Sequence, residues 1–172
     1  MTMVEPAQHP SDPTLGWRSA ALAGRFGGAL VWGAAMALSA LLSLGLDNRL
    51  ETYHLPAILL LYFLGGLFGW LLMLPLIRRL GAGRPAESRF AAALLFLTLG
   101  TVLSTALLFA LQYRLFYARW HEAFGTRIWA FQFAFTSASA VYQFAVLGLR
   151  LFLPFGLVCL IGASWRLMRR SR

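Results

Sequence analysis

The chain has 172 residues, 59% of them hydrophobic and only 12% charged, with a mean hydropathy of +0.68. Soluble domains of this length average about half apolar and about a quarter charged, so the shortage of charge excludes one and points to an integral membrane protein. The net charge of +9 rests on 15 basic residues, all arginines, clustered between apolar runs rather than along one basic face. That pattern excludes nucleic acid as a partner and makes orientation in a bilayer the role of the charge.

Residues 1–12 are polar, hold Pro6 and Pro10, and lack the basic and apolar regions of a signal peptide; a disordered tail is expected there. Asp12 before Pro13 has the form of an N-cap with proline at the first helical position. From there a surface helix carrying Trp17, Arg18 and Arg25 should run into a first span over 27–46. Ala29, Gly33 and Ala37, repeating every fourth residue, would let another helix approach closely. A loop with Asp47, Glu51 and His54 leads to a second span over 54–77, with Pro56 tolerated in its first turn. That span carries a GxxxG pair, Gly65 and Gly69, which signals helix packing and not chemistry.

The arginine-rich turn RRLGAGRPAESR precedes a third span over 90–112. Its helical pattern continues through YRLFYARWHEAF, with Tyr113, Phe116, Tyr117, Trp120 and Phe124 on one face. Gly125 suits a helix C′ position and Thr126 an N-cap, so a tight turn is expected before a fourth helix. That helix should run over 127–167 and cross the membrane over 141–165. At about 1.5 Å per residue it is nearly twice the hydrocarbon thickness, so it must tilt, kink at Pro154 or project. Residues 169–172 read as a basic tail. The expected architecture is an all-α integral membrane protein. It has one membrane domain over 13–168, a four-transmembrane-helix bundle whose long third and fourth helices form a hairpin.

Orientation follows from where the arginines fall. Arg18, Arg25, the second loop and the C-terminal stretch outweigh Arg49, Arg114, Arg119 and Arg127, so both termini are expected in the cytoplasm. Arginine to the exclusion of lysine, beside abundant Ala, Leu and Gly, suggests a GC-rich bacterial genome and hence a multi-pass protein of the bacterial inner membrane.

Polar residues inside apolar spans mark where a site is sought. Gln132, Thr136, Ser139, Gln143 and Arg150 share one face of the fourth helix; Thr98, Thr101, Thr105 and Gln112 make a matching stripe on the third. Folding the hairpin at Gly125 should set Gln112 against Gln143 and Thr105 against Arg150. Such a seam is either inter-helix glue, about 0.6 kcal/mol per contact on average, or a groove for a lipid or hydrophobic anion. The candidate ligand-binding residues are Arg150, Gln143, Thr105, Gln112, Thr136 and Ser139. Arg150 is the most telling, since an arginine at membrane depth costs at least about 2.5 kcal/mol to insert.

All six acidic residues lie in tails or loops, which argues against a proton-coupled transporter or cation channel. His54 and His121 are weak metal candidates without ligand spacing, so no metal is expected. With no histidine inside a span, a bis-His haem and a Ser–His protease are both disfavoured, and no cofactor or catalytic motif is expected. Cys159 reads as a small buried hydrophobe. The first functional expectation is a non-enzymatic accessory, assembly or scaffold component. Its partners would be membrane lipids, other membrane subunits, or a second copy meeting through the Gly/Ala seams. The alternative is lipid or hydrophobic-anion binding or transport at the seam with Arg150.

Overall fold

A computed structural model describes residues 13–170, with only the backbone described for 13–21 and 170. Among the described residues the regular structure is entirely helical. The elements are α1 (Pro13–Leu46), α2 (Leu55–Gly81), α3 (Ala86–Tyr117), α4 (Arg127–Gln143) and α5 (Phe155–Arg170). The runs Leu22–Leu46, Leu55–Gly81, Ala86–Trp120 and Arg127–Phe152 are long and apolar enough to cross a membrane, which makes this a multi-pass membrane protein. Large apolar side chains such as Val31, Leu60, Leu72, Leu103 and Leu107 point outward. The interior combines small and polar residues such as Ala40, Ala93, Ser39 and Thr105 with larger ones such as Met36, Tyr62 and Leu97. Small residues at the seams are what lets helices in lipid pack closely.

α2 lies between α1 and α3, and its glycines set both distances. A Cβ on Gly33 of α1 would stand 2.6 Å from the Phe63 carbonyl oxygen, and one on Gly69 would stand 2.7 Å from the Thr101 backbone. Gly65 lies against Thr105 in the same way. Both small-residue seams read from the sequence are therefore filled within the chain. α5 packs on α3 and α1 and closes the ring. One apolar cluster joins Ala40, Leu44, Tyr62 and Leu151; another joins Ile77, Ala93 and Leu97, with Leu160, Ala163 and Leu167 of α5 packed on it.

α1 begins at Pro13 and runs unbroken into the first span; its expected cap, Asp12, lies outside the described residues. Pro56 falls in the first turn of α2 as expected. Pro75, also in α2, cannot donate to the carbonyl four residues back. That carbonyl, of Leu71, instead accepts from the Arg25 guanidinium at 2.7 Å.

Two expectations are corrected. The helical pattern beyond α3 stops earlier than Phe124: a 3-10 turn at Ala118–Trp120 ends at His121, which is extended. The Glu122 N–H then bonds the Gln132 side-chain oxygen at 2.8 Å instead of a helix carbonyl. Gly125 takes a positive φ of 88°, but within the loop after the 3-10 turn and not at a helix C′ position, because the helix has already ended. Thr126 caps α4 by accepting from Trp129 N–H, as read.

The second correction concerns the fourth helix, which is not continuous from 127 to 167. α4 ends at Gln143, a π-turn spans Phe144–Gly148, a 3-10 turn spans Leu149–Phe152, and Leu153 is extended before Pro154. Proline removes a donor and drives the residue before it out of the helical region, which breaks the helix rather than bending it. α5 then continues to Arg170, into the stretch read as a basic tail.

Candidate functional site

The broken segment 144–154 exposes backbone groups at a depth where water is scarce, and they need partners. Side chains of α1 and α2 supply them. Tyr62 donates to the Gly148 carbonyl. Ser39 donates to the Leu151 carbonyl at 3.1 Å and accepts from the Gly156 N–H at 2.9 Å. Ser43 donates to Leu153 O at 2.7 Å, with Leu151 O also within reach at 3.3 Å. Ser39 and Ser43 are one helical turn apart on a buried face of α1, so they present two hydroxyls to the break.

The seam read from the sequence is only partly assembled. Gln143 reaches α3, donating to the Tyr113 hydroxyl at 3.3 Å. Thr136 donates to the Gln132 carbonyl and lies 3.2 Å from His121 Nε2. Gln132 holds the Glu122 N–H. These bonds fasten α4 to the last turns of α3 and the loop after it. Ser139 and Gln112 are exposed.

Thr105 goes elsewhere. It is fully buried against Gly65, and its hydroxyl donates to the Thr101 carbonyl at 2.7 Å. Thr101 in turn accepts from the Trp32 indole at 2.9 Å. The α3 stripe therefore serves α2 and α1, because the glycines there permit an approach that no pair on α4 offers.

Arg150 meets neither Thr105 nor Gln143. The π-turn changes the register, so seven residues beyond Gln143 no longer returns to the same face. Arg150 points instead to the loop after α1, where its guanidinium lies 3.6 Å from the Asp47 carboxylate, both side chains about half exposed. Asp47, read as a loop residue remote from the span, is its partner. His54 stands at the start of α2, edge-on to Tyr53. Among the described residues no three His, Cys, Asp or Glu side chains gather closely enough to hold a metal ion.

A second place is not visible in the sequence, because no single stretch of chain contains it. At the end of the bundle opposite Asp47, a cavity of about 860 Å³ lies between α1, α2 and α5. α1 contributes Gly24, Gly27, Gly28 and Trp32; α2 contributes Trp70, Leu74 and Arg78; α5 contributes Cys159, Gly162 and Arg166. Cys159 is thus a partly exposed wall residue, not a fully buried one. Gly24, Gly27 and Gly162 face open space, while the Trp70 ring lies flat against Gly28. The signal available in the sequence was the glycine run of α1 facing arginines at the ends of two other helices. The shared lining also puts the start of the α1 span, the α2–α3 turn and the end of α5 together. Comparison with family models, with curated proteins and with solved structures finds no match to this chain.

Proposed function

We propose that the protein is a non-enzymatic accessory component of the bacterial inner membrane, with both termini in the cytoplasm, that presents α4 to another membrane protein. The observation that carries this reading is the placement of α4. It packs chiefly on the end of α3, and of its residues only Ala140 is buried. Ile128, Phe131, Phe135, Val141 and Tyr142 are all exposed. A helix fastened along one side by Gln132, Thr136 and Gln143, with aromatic side chains free on the others, has the composition of a docking face. The bonds to His121, Glu122 and Tyr113 fix its position on α3, which lowers the ordering cost of binding.

The termini assignment rests on the arginine distribution. Arg25, Arg78, Arg79, Arg84, Arg89, Arg166 and Arg169 lie at the cavity end beside the carboxylate Glu87, whereas Asp47, Glu51 and Glu122 lie at the other. Photo-crosslinking from a benzophenone residue at Phe131 or Phe135, in native membranes, tests the docking reading. A discrete protein adduct from these positions, absent from a probe at Leu103 on α3, is the expected result. Adducts to lipid alone at both α4 positions would refute it.

A further inference from the structure

The cavity between α1, α2 and α5 is unrelated to α4 and asks for its own occupant. We infer that it binds one anionic glycerophospholipid, with an acyl chain along the glycine-lined wall and the phosphate held between Arg78 and Arg166. Its volume, about 860 Å³, is within the usual range for ligand sites and too large to be a packing defect. At Gly24, Gly27 and Gly162, which line it, an added Cβ would meet nothing within 4 Å, so the wall there is open. An apolar slot of that kind, with the Trp32 and Trp70 rings packed on each other (6.2 Å between centroids) in its wall, suits a flexible hydrocarbon chain.

The charge decides the other end of the ligand. Arg78 and Arg166 both line the cavity, and neither has an ion-pair partner among the described residues. Planar guanidinium groups match phosphate oxygens through paired N–H donors, and basic pockets between membrane helices favour phosphate headgroups. A zwitterionic lipid brings a compensating cation to the same place, so the site should prefer net negative charge. Of the arginines at this end, Arg78 and Arg166 are the two that line the cavity; Arg25 is committed to the Leu71 carbonyl freed by Pro75, and Arg169 lies over the Trp165 ring.

The test is delipidation of the full-length protein in neutral detergent, followed by titration with dioleoyl phosphatidylglycerol, dioleoyl phosphatidylcholine or oleate and counting of bound molecules by native mass spectrometry. One phosphatidylglycerol should be retained at least tenfold more tightly than phosphatidylcholine or oleate. Arg78→Gln with Arg166→Gln should weaken it at least tenfold, whereas Arg119→Gln with Arg127→Gln, at the opposite end, should not. Gly27→Leu with Gly162→Leu should fill the slot and abolish retention. The arginine pair keeps the proposal falsifiable if the filled variant does not fold. Equal retention of the two phospholipids, or wild-type retention by the Arg78/Arg166 variant, would overturn it. Oleate bound as tightly as phosphatidylglycerol would overturn the assignment to a glycerophospholipid, and a co-purifying polypeptide in place of lipid would overturn the site.

Discussion

Removing the Ser39 hydroxyl should reveal how the broken segment is held. Ser39 is almost completely buried, and its oxygen both donates to Leu151 O and accepts from Gly156 N–H. In Ser39→Ala the Gly156 N–H has no replacement. Ser43 lies within reach of Leu151 O, but its single proton already serves Leu153 O at the shorter distance, 2.7 Å against 3.3 Å. One donor and one carbonyl therefore lose their partner. Each buried unsatisfied group costs about 1–3 kcal/mol, and alanine returns only a few tenths through helix propensity. A net loss of at least about 2 kcal/mol follows.

Ser43→Ala alone should cost less, about 1 kcal/mol, because it strands a single carbonyl, that of Leu153, and no N–H. The double variant should lose about the sum of the two, since each change strands different groups, Gly156 N–H and Leu151 O in one and Leu153 O in the other. Equilibrium unfolding in mixed detergent micelles measures all four proteins of the cycle. Ordinary inter-helix contacts average only about 0.6 kcal/mol and act independently. A Ser39→Ala loss below about 0.5 kcal/mol would show that the segment does not depend on this serine.

The same assay separates glycines that hold helices together from glycines that line space. Gly69→Ala should destabilise by about 1–2 kcal/mol, because its Cβ would stand 2.7 Å from the Thr101 backbone and force α2 and α3 apart. Gly27→Ala should be neutral or gain up to about 1 kcal/mol from helix propensity, as nothing lies within 4 Å; equal effects at the two sites would refute the packing. Arg150→Leu and Asp47→Leu should each cost no more than about 1 kcal/mol, being half-exposed partners, and should be non-additive with each other. Arg150→Leu should add independently to Thr105→Val, and coupling between those two would restore the α3–α4 seam. In a Cys159→Ser background, a cysteine at Asn48 should react with an impermeant thiol reagent from the periplasm and one at Ala82 should not. The reverse pattern would invert the proposed orientation.

Four membrane-length apolar runs, the helix start at Pro13, the place of Pro56 in the first turn of α2 and the cap at Thr126 were legible in the sequence because each rests on local physics; the fourth run was read at 141–165, whereas it spans Arg127–Phe152. A bilayer sets the length of an apolar run, a missing N–H sets where proline is tolerated, and a side-chain oxygen reaches an amide three residues away. The small-residue seams were legible too, though not their partners. On the candidate site the sequence identified the right kind of residue and the wrong meeting. Thr105 was claimed by Gly65 because a helix can approach a glycine more closely than anything α4 presents. Arg150 left the stripe once the π-turn shifted the register, and found Asp47, 103 positions away in the chain.

Three features belong to the tertiary structure alone. Ser39 and Ser43 look like ordinary small residues of a span until the break between α4 and α5 is laid against them. Arg25 reads as an interfacial anchor until Pro75 frees a carbonyl on a different helix. The cavity is the space left between three helices, none of which contains it. Hydropathy and helical period act over a few turns of one helix. The partners of an unpaired carbonyl, and the volume left beside a glycine, depend on atoms that only folding brings together.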